Sequence, residues 1–215
     1  MNTPVLIIGG GGHAKVLIDS LRLCSVPILG IIDADPSKAG GECSGIRIIG
    51  GDESIKSYDP RTVQLVNAVG SVRQPKVRTA IYQKFKVMGF TFSRVIHPSA
   101  IVASDCFLGE GVQIMAGVVI QPGVTIGNNA LVNTRATIDH DCRIGDHAHI
   151  SPGVTLSGGV IVGNGVHIGA GATVIQGVTI GAQSVIGAGS MVIDNIPGNV
   201  MAYGVPAKSR DAETS

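Results

Sequence analysis

"VNTRATIDHDCRIGDHAHISPGV", residues 132–154, carries an aliphatic side chain at every sixth place: Val132, Ile138, Ile144 and Ile150. Four residues after each stands a small one: Ala136, Cys142, Ala148 and Val154. Both slots continue outward in either direction without an insertion. From Ile96 to Val192, all seventeen positions in steps of six are Ile, Val or Leu. Glycine often follows the aliphatic residue, as at Gly109, Gly127, Gly145, Gly163 and Gly181. A period of six fits neither the 3.6 of a helix nor the 2 of a simple strand. It is the hexapeptide pattern of a parallel β-helix. The aliphatic residue points into a prism, and the small residue and the glycine let the backbone turn its corners. Three hexads make one coil of about 18 residues, with successive coils about 4.8 Å apart.

Residues 1–95 lack this period. "PVLIIGG" reads as a buried strand, "GHAKVLIDSLRL" as a helix and "VPILGIID" as a second strand. "TVQLVNAVG" then reads as a third strand and "PKVRTAIYQKFKVMG" as a helix. Strand–helix alternation with short connections implies a small Rossmann-like parallel α/β sheet. The expected organisation is an α/β nucleotide-binding domain over 1–95, a β-helix over 96–197 and a C-terminal tail over 198–215.

Composition narrows the function. Lysine plus arginine total 16 and aspartate plus glutamate 15, so no basic field announces nucleic acid or anionic lipid. The apolar runs are far shorter than the roughly 18 residues of a membrane span. "MNTPVLII" lacks the cationic start of a secretory signal. The four cysteines, at 24, 43, 106 and 142, form no CxxC pair. The expectation is a soluble, reduced, cytoplasmic protein without a membrane span.

Two motifs carry chemistry. In "GGGGHAKV", residues Gly9, Gly11 and Ala14 fit G-x-G-x-x-A between a strand and a helix, and Asp33 and Asp35 end the next strand. Such glycines bring backbone N–H groups against a phosphate at a helix N-terminus. Ninety-five residues favour a mononucleotide or nucleotide sugar over a dinucleotide. The second motif is "TIDHDCRIGDHAHI". His140, His147 and His149 occupy neither the inward nor the small slot, so they project outward or lie at a corner, His147 as a solvated surface residue. Asp139 and Asp141 flank His140, and either could orient its imidazole as a general base. One coil on, Gly158 and Gly159 leave the backbone beside it bare, and outward-facing Asn133 could hold an acceptor group. His149 and His167, 18 apart, should stack, but two histidines do not make a catalytic zinc site. No metal is expected. At the C-terminus, Lys208 and Arg210 in "AYGVPAKSR" could meet a phosphate.

With "IIGGGGHAKV", "GIIDAD", the hexads, "VNTRATIDHDCRIGDHAHISPGV" and "GVPAKS" in order, the chain resembles the hexapeptide-repeat acyltransferases. Within them it is similar to sialic-acid O-acetyltransferases and to N-acetyltransferases of nucleotide-linked amino sugars, such as that of the bacillosamine pathway. The resemblance implies a left-handed β-helix, a homotrimer, and acetyl-CoA as cosubstrate in the groove between neighbouring prisms. It implies His140 as general base with Asp141 orienting it, and Asn133 at the acceptor amine. It places His149, Gly158, Gly159, Ala170, Ala188 and Lys208 along the CoA groove. Gly9, Gly10, Gly11, Gly12 and His13, with Asp33 and Asp35, would hold the nucleotide. N-acetylation of a nucleotide-linked amino sugar, a 4-amino-deoxy sugar, is the favoured activity. O-acetylation of a sialic acid, a zinc hydratase and a non-catalytic nucleotide-sensing scaffold are the alternatives.

Overall fold

The structure is a computed structural model that describes residues 3–71 and 75–211, with the backbone alone for 210 and 211. The N-terminal part is built on β1 (Val5–Ile8), buried at all four positions as a central parallel strand should be. It leads into α1 (Gly12–Leu23), which buries Ala14, Leu17, Ile18 and Leu21, one stripe of a 3.6-residue period. β2 (Ile28–Ile32), β3 (Glu42–Cys43), β4 (Ile46–Gly50), β5 (Gln64–Asn67) and α2 (Lys76–Val87) follow, with 3-10 turns at Pro36–Lys38 and Asp52–Ser57. The strand order is β3-β4-β2-β1-β5.

This sheet departs from the purely parallel expectation at its edge, where β3 runs antiparallel to β4. The reason is local: Ser44 and Gly45 both have positive φ, which closes a two-residue hairpin. One sheet face packs Val5, Ile7 and the α1 stripe together with Met115 and Leu131 of the second domain. The other packs Leu6, Ile8 and Ile32 against Ile55, Phe85, Phe90 and Phe92.

From β6 (Val95–Ile96) to β22 (Met191–Val192) every strand is two residues long, and the chain winds a left-handed parallel β-helix. Its three faces are parallel sheets. Face one holds β7 (Ile101–Val102) to β22 through β13 (Thr137–Ile138); face two runs from β8 (Phe107–Leu108) to β20 (Thr179–Ile180) through β14 (Arg143–Ile144). Face three runs from β6 to β21 (Val185–Ile186) through β12 (Leu131–Val132) and β15 (His149–Ile150). Thr137 pairs with Thr155, and His149 with His167, one coil apart. The inward aliphatics and the small-slot residues form one continuous buried core. Each fully buried Val, Leu or Ile there contributes about 1.5–3 kcal/mol relative to exposure.

The corners are turned at a slot the hexad reading did not single out. Every sixth residue from Gly111 to Gly189 has φ between 54° and 76°, including Asn129, Arg135, Asp141, His147 and Gln183. This left-handed region suits glycine, and among other residues Asn, Asp and His. The glycines that follow the aliphatic residues serve a different need. A Cβ on Gly127 would lie 2.6 Å from the Asp146 nitrogen, so these positions allow coils to stack closely.

The segment expected as a tail is instead a β-hairpin. β23 (Val200–Gly204) adds parallel to β21 (Val185–Ile186) on face three, and β24 (Ala207–Asp211) returns antiparallel. Among the described residues no helix is long and apolar enough to cross a membrane.

Candidate active site

A cleft of about 560 Å³ opens at the carboxyl ends of β1, β2, β4 and β5, where parallel α/β sheets place their ligands. Gly9 to Gly12 and His13 line it. Gly9 has φ +99°, and a Cβ on Gly10 would lie 3.2 Å from Asp33 Oδ2. α1 starts from Gly11 with no side-chain cap; Ala14 N–H bonds back to the Gly11 carbonyl, and an uncapped helix start of this kind suits an anion. The His13 ring, although it lines the cleft, is bonded toward the prism. Its Nε2 lies 2.9 Å from Gln113 Oε1 on face three, and burial pushes the imidazole down to about 4, so it is neutral and anchors the loop to the prism.

The two acidic candidates separate. Asp33 lines the cleft, but Oδ2 accepts from Gly10 N–H at 2.7 Å and from Lys38 Nζ at 3.0 Å, and Oδ1 accepts from Asp35 N–H at 2.9 Å. These bonds hold its carboxyl below the usual range against the opposing pull of desolvation. Asp35, expected beside it at the nucleotide, does not line the cleft. Its carboxylate caps the Pro36–Lys38 turn, accepting from the N–H and hydroxyl of Ser37.

A polar seam joins the two domains. Gln113 Nε2 donates to the Asn67 carbonyl at 2.7 Å. Fully buried Arg78, on the first turn of α2, donates to the carbonyls of Asn67, Val69 and Asn129. Among the described residues its charge is met by carbonyl dipoles, and desolvation pulls it down to about 9. His147, expected in solvent, is half-buried here: Asn129 Nδ2 lies 3.0 Å from its Nδ1, and the Tyr82 ring meets it edge-on.

His140 lies on the corner between faces one and two, directly before Asp141 in its left-handed slot. That backbone turn brings the carboxylate alongside: Asp141 Oδ2 is 2.8 Å from His140 Nδ1. Asp139 instead accepts the His140 backbone N–H at 2.7 Å. The Asp141 hydrogen bond, then the Asp139 charge, raise the imidazole above its ordinary value. With Nδ1 held, Nε2 has no hydrogen-bond partner among the described residues, and it lies over Gly158. A Cβ there would be 2.6 Å from it.

His149 is not solvent-facing. It projects off face three but is 7% exposed, with Nδ1 2.6 Å from Ser71 Oγ of the first domain. Burial, then the neighbouring His167, Arg78 and His13, lower it to about 3. His167 meets it edge-on at 4.7 Å between ring centres. Both line a groove of about 430 Å³ with Ala170, Ala188 and Met201. Among the described residues no three His, Cys, Asp or Glu side chains group as metal ligands.

The expected site residues therefore fall on different corners of one prism. Ala170, Ala188 and the groove lie where face three meets face one. Asn133, its Oδ1 taken by the Thr134 N–H, lies on that same corner and not beside His140. Gly158 and Gly159, expected both beside His140 and along the CoA groove, lie with His140 and do not line the groove of their own chain. The first domain sits on face three, opposite the His140 corner. Lys208 is exposed on the terminal hairpin and outside the groove, and the Arg210 side chain lies outside the described residues. Lys38, Asp52 and Ser71 also line these cavities, and sequence reasoning passed over them. Ser71 and Asp52 have partners distant along the chain, His149 and Lys84, whereas Lys38 meets Asp33 five residues before it.

Residues 4–85 match the family model of the PglD N-terminal domain. The bacterial transferase hexapeptide model, of six repeats, matches at 105–140, 123–158 and 159–194. The chain is similar over 96% of both lengths, at 43% identity and TM-score 0.90, to a histidine-to-asparagine mutant of perosamine N-acetyltransferase from Caulobacter crescentus, solved with CoA and GDP-perosamine. It is 33% identical to the acetyltransferase domain of PglB from Neisseria gonorrhoeae in complex with acetyl coenzyme A, over 98% of this chain and 100% of that one, at TM-score 0.89. WeeI from Acinetobacter baumannii shares the fold, at 21% identity, TM-score 0.79 and coverage of 96% and 99%.

Proposed function

The chain belongs to the hexapeptide-repeat acetyltransferases that carry a PglD-type N-terminal domain, and we propose that it moves the acetyl group of acetyl-CoA directly to the amine of a nucleotide-linked 4-amino sugar. The observation that carries this reading is the His140 corner: an imidazole with Nδ1 held by Asp141 and Nε2 free over a bare glycine. The relatives solved with CoA and GDP-perosamine, or with acetyl coenzyme A, support the substrate pair.

The neutral amine attacks the thioester carbon. Its proton passes to His140 Nε2, the C–S bond breaks and the CoA thiolate leaves. Asp141 keeps the proton of the resting imidazole on Nδ1 and stabilises the imidazolium that forms. The oxyanion needs a donor. Gly159 N–H is committed to the His140 carbonyl at 2.8 Å, so the Gly158 N–H takes that part. No acyl-enzyme is needed.

Because His140 and the groove occupy different corners, one chain does not complete the centre. A homotrimer does so, setting the His140 corner of one protomer against the groove of the next. Asn133, Ala170 and Ala188 then face the donor and the acceptor amine, and the glycine loop holds the nucleotide.

The test follows thiol release from acetyl-CoA with UDP-, GDP- and dTDP-linked 4-amino sugars and with sialic acid. Release with a nucleotide amino sugar is expected, lowered roughly 10²–10⁴-fold in His140→Ala with CoA binding retained. Full activity in that variant overturns the assignment of the base. Release with sialic acid alone turns the activity to O-acetylation.

A further inference from the structure

Two carboxylates line the cleft among the described residues, and Asp52 is the less engaged within the protein. Both Asp33 oxygens are bonded within the protein, and the residue is 8% exposed. Asp52 stands at the outer end of the same cleft, just past the carboxyl end of β4. Lys84 Nζ donates to its Oδ2 at 2.6 Å, while the side chain stays one-third exposed and Oδ1 remains available. Across from it, α2 presents Val77, which is 64% exposed, and Ile81 at helical spacing. The cleft thus holds an apolar wall and a carboxylate together.

Its position matters. In the order β4-β2-β1, Asp52 lies two strand spacings, about 10 Å, from the glycine loop that follows β1. With the diphosphate at that loop, the ribose lies over the end of β2 and the base reaches β4, as in parallel nucleotide folds. A carboxylate only accepts hydrogen bonds. Guanine presents two adjacent donors, N1–H and the N2 amino group, on one edge. Uracil and thymine present a single N3–H between two carbonyl oxygens, which a carboxylate repels. Adenine presents its amino group beside an acceptor nitrogen.

We propose that Asp52, steadied by Lys84 and facing the Val77–Ile81 wall, reads the base of the acceptor, and that this base is guanine. The inference rests on the reading of the cleft as a nucleotide-sugar site.

The experiment measures binding of GDP, IDP, UDP, dTDP and ADP to the intact protein by calorimetry, with Asp52→Asn alongside. GDP should bind on the order of 10- to 100-fold more tightly than UDP, dTDP or ADP. IDP, which lacks the N2 amino group, should fall between. In Asp52→Asn the gap between GDP and UDP should close, because a carboxamide supplies a donor as well as an acceptor. The IDP comparison needs no variant, so it stands even if Asp52→Asn folds poorly. UDP or dTDP binding as tightly as GDP overturns the inference while leaving transfer to an amino sugar intact. A GDP preference that survives Asp52→Asn overturns the role of Asp52. Failure of all five to bind overturns the nucleotide reading and this inference together.

Discussion

Gly158→Ala tests the catalytic corner without touching any group that does chemistry. The added methyl would lie 2.6 Å from His140 Nε2 and 2.7 Å from Cε1. Ordinary carbon contacts begin near 3.5 Å, so the ring must move by about 1 Å. It can do so cheaply, because it is the exposed end of a side chain and Gly158 itself is outside the left-handed region. Stability should therefore hold, within about 0.5 kcal/mol, or roughly 2 °C in Tm for a chain of this size. Activity should not. A misplacement of about 1 Å at a reacting group costs on the order of 10²-fold. The assay is thiol release from acetyl-CoA under saturating substrates, paired with a thermal melt of the same sample. A variant with native Tm and native kcat would refute the placement of the base. Loss of both together would show that the imidazole is wedged in place.

Two further outcomes follow from the protonation of the histidines. The Asp141 hydrogen bond is the largest cause of the raised His140 value, so Asp141→Asn should move the acid limb of the kcat/KM profile to lower pH. Its plateau should fall on the order of 10-fold, which a pH–rate series reads directly. His13 and His149 are held neutral, at about 4 and about 3, so from the ordinary 6.5 downward the unfolded chain takes up protons that the folded one refuses. Their contribution is complete above pH 6.5 and is lost as pH falls toward those folded values. At pH 5 that is about 2 kcal/mol for each histidine. Tm should therefore drop by about 10 °C between pH 7.5 and 5, with roughly half the drop absent in His149→Gln. A flat Tm over that range would show that these imidazoles are not buried neutral in solution.

The prism was readable residue by residue because a β-helix imposes one local rule on each hexad, and Ile96 to Val192 keep it. His140, Asp141 and Gly158 were within reach for the same reason: they are related by adjacency and by one coil. What lay beyond was set by contacts between distant residues. His13 meets Gln113 a hundred residues away, and Ser71 buries His149 from 78 residues away. A side chain's slot on the prism says that it points outward, not that a second domain covers it. Asp33 and Asp35 look equivalent in "IDADPSK", and only the turn at Pro36–Lys38 turns one away from the cleft. The terminal hairpin escaped for a further reason. "AYGVPAK" has the glycine and proline of a turn, but β23 gains its partner from β21, and β24 from β23, not from the hexad pattern.

The left-handed corners bear on how such an enzyme changes over evolutionary time. Every sixth residue from Gly111 to Gly189 presents nearly the same backbone, so Asp141 stands on a platform repeated along the prism. Nothing in the scaffold reserves that platform for chemistry. A histidine followed by an acidic residue, with glycine one coil away, is a portable cassette that three substitutions could install elsewhere or erase in place. The fold would be indifferent to the move, since none of the three positions faces the aliphatic core. Descendants of one scaffold can thus gain, shift or lose a reactive centre while keeping the same architecture.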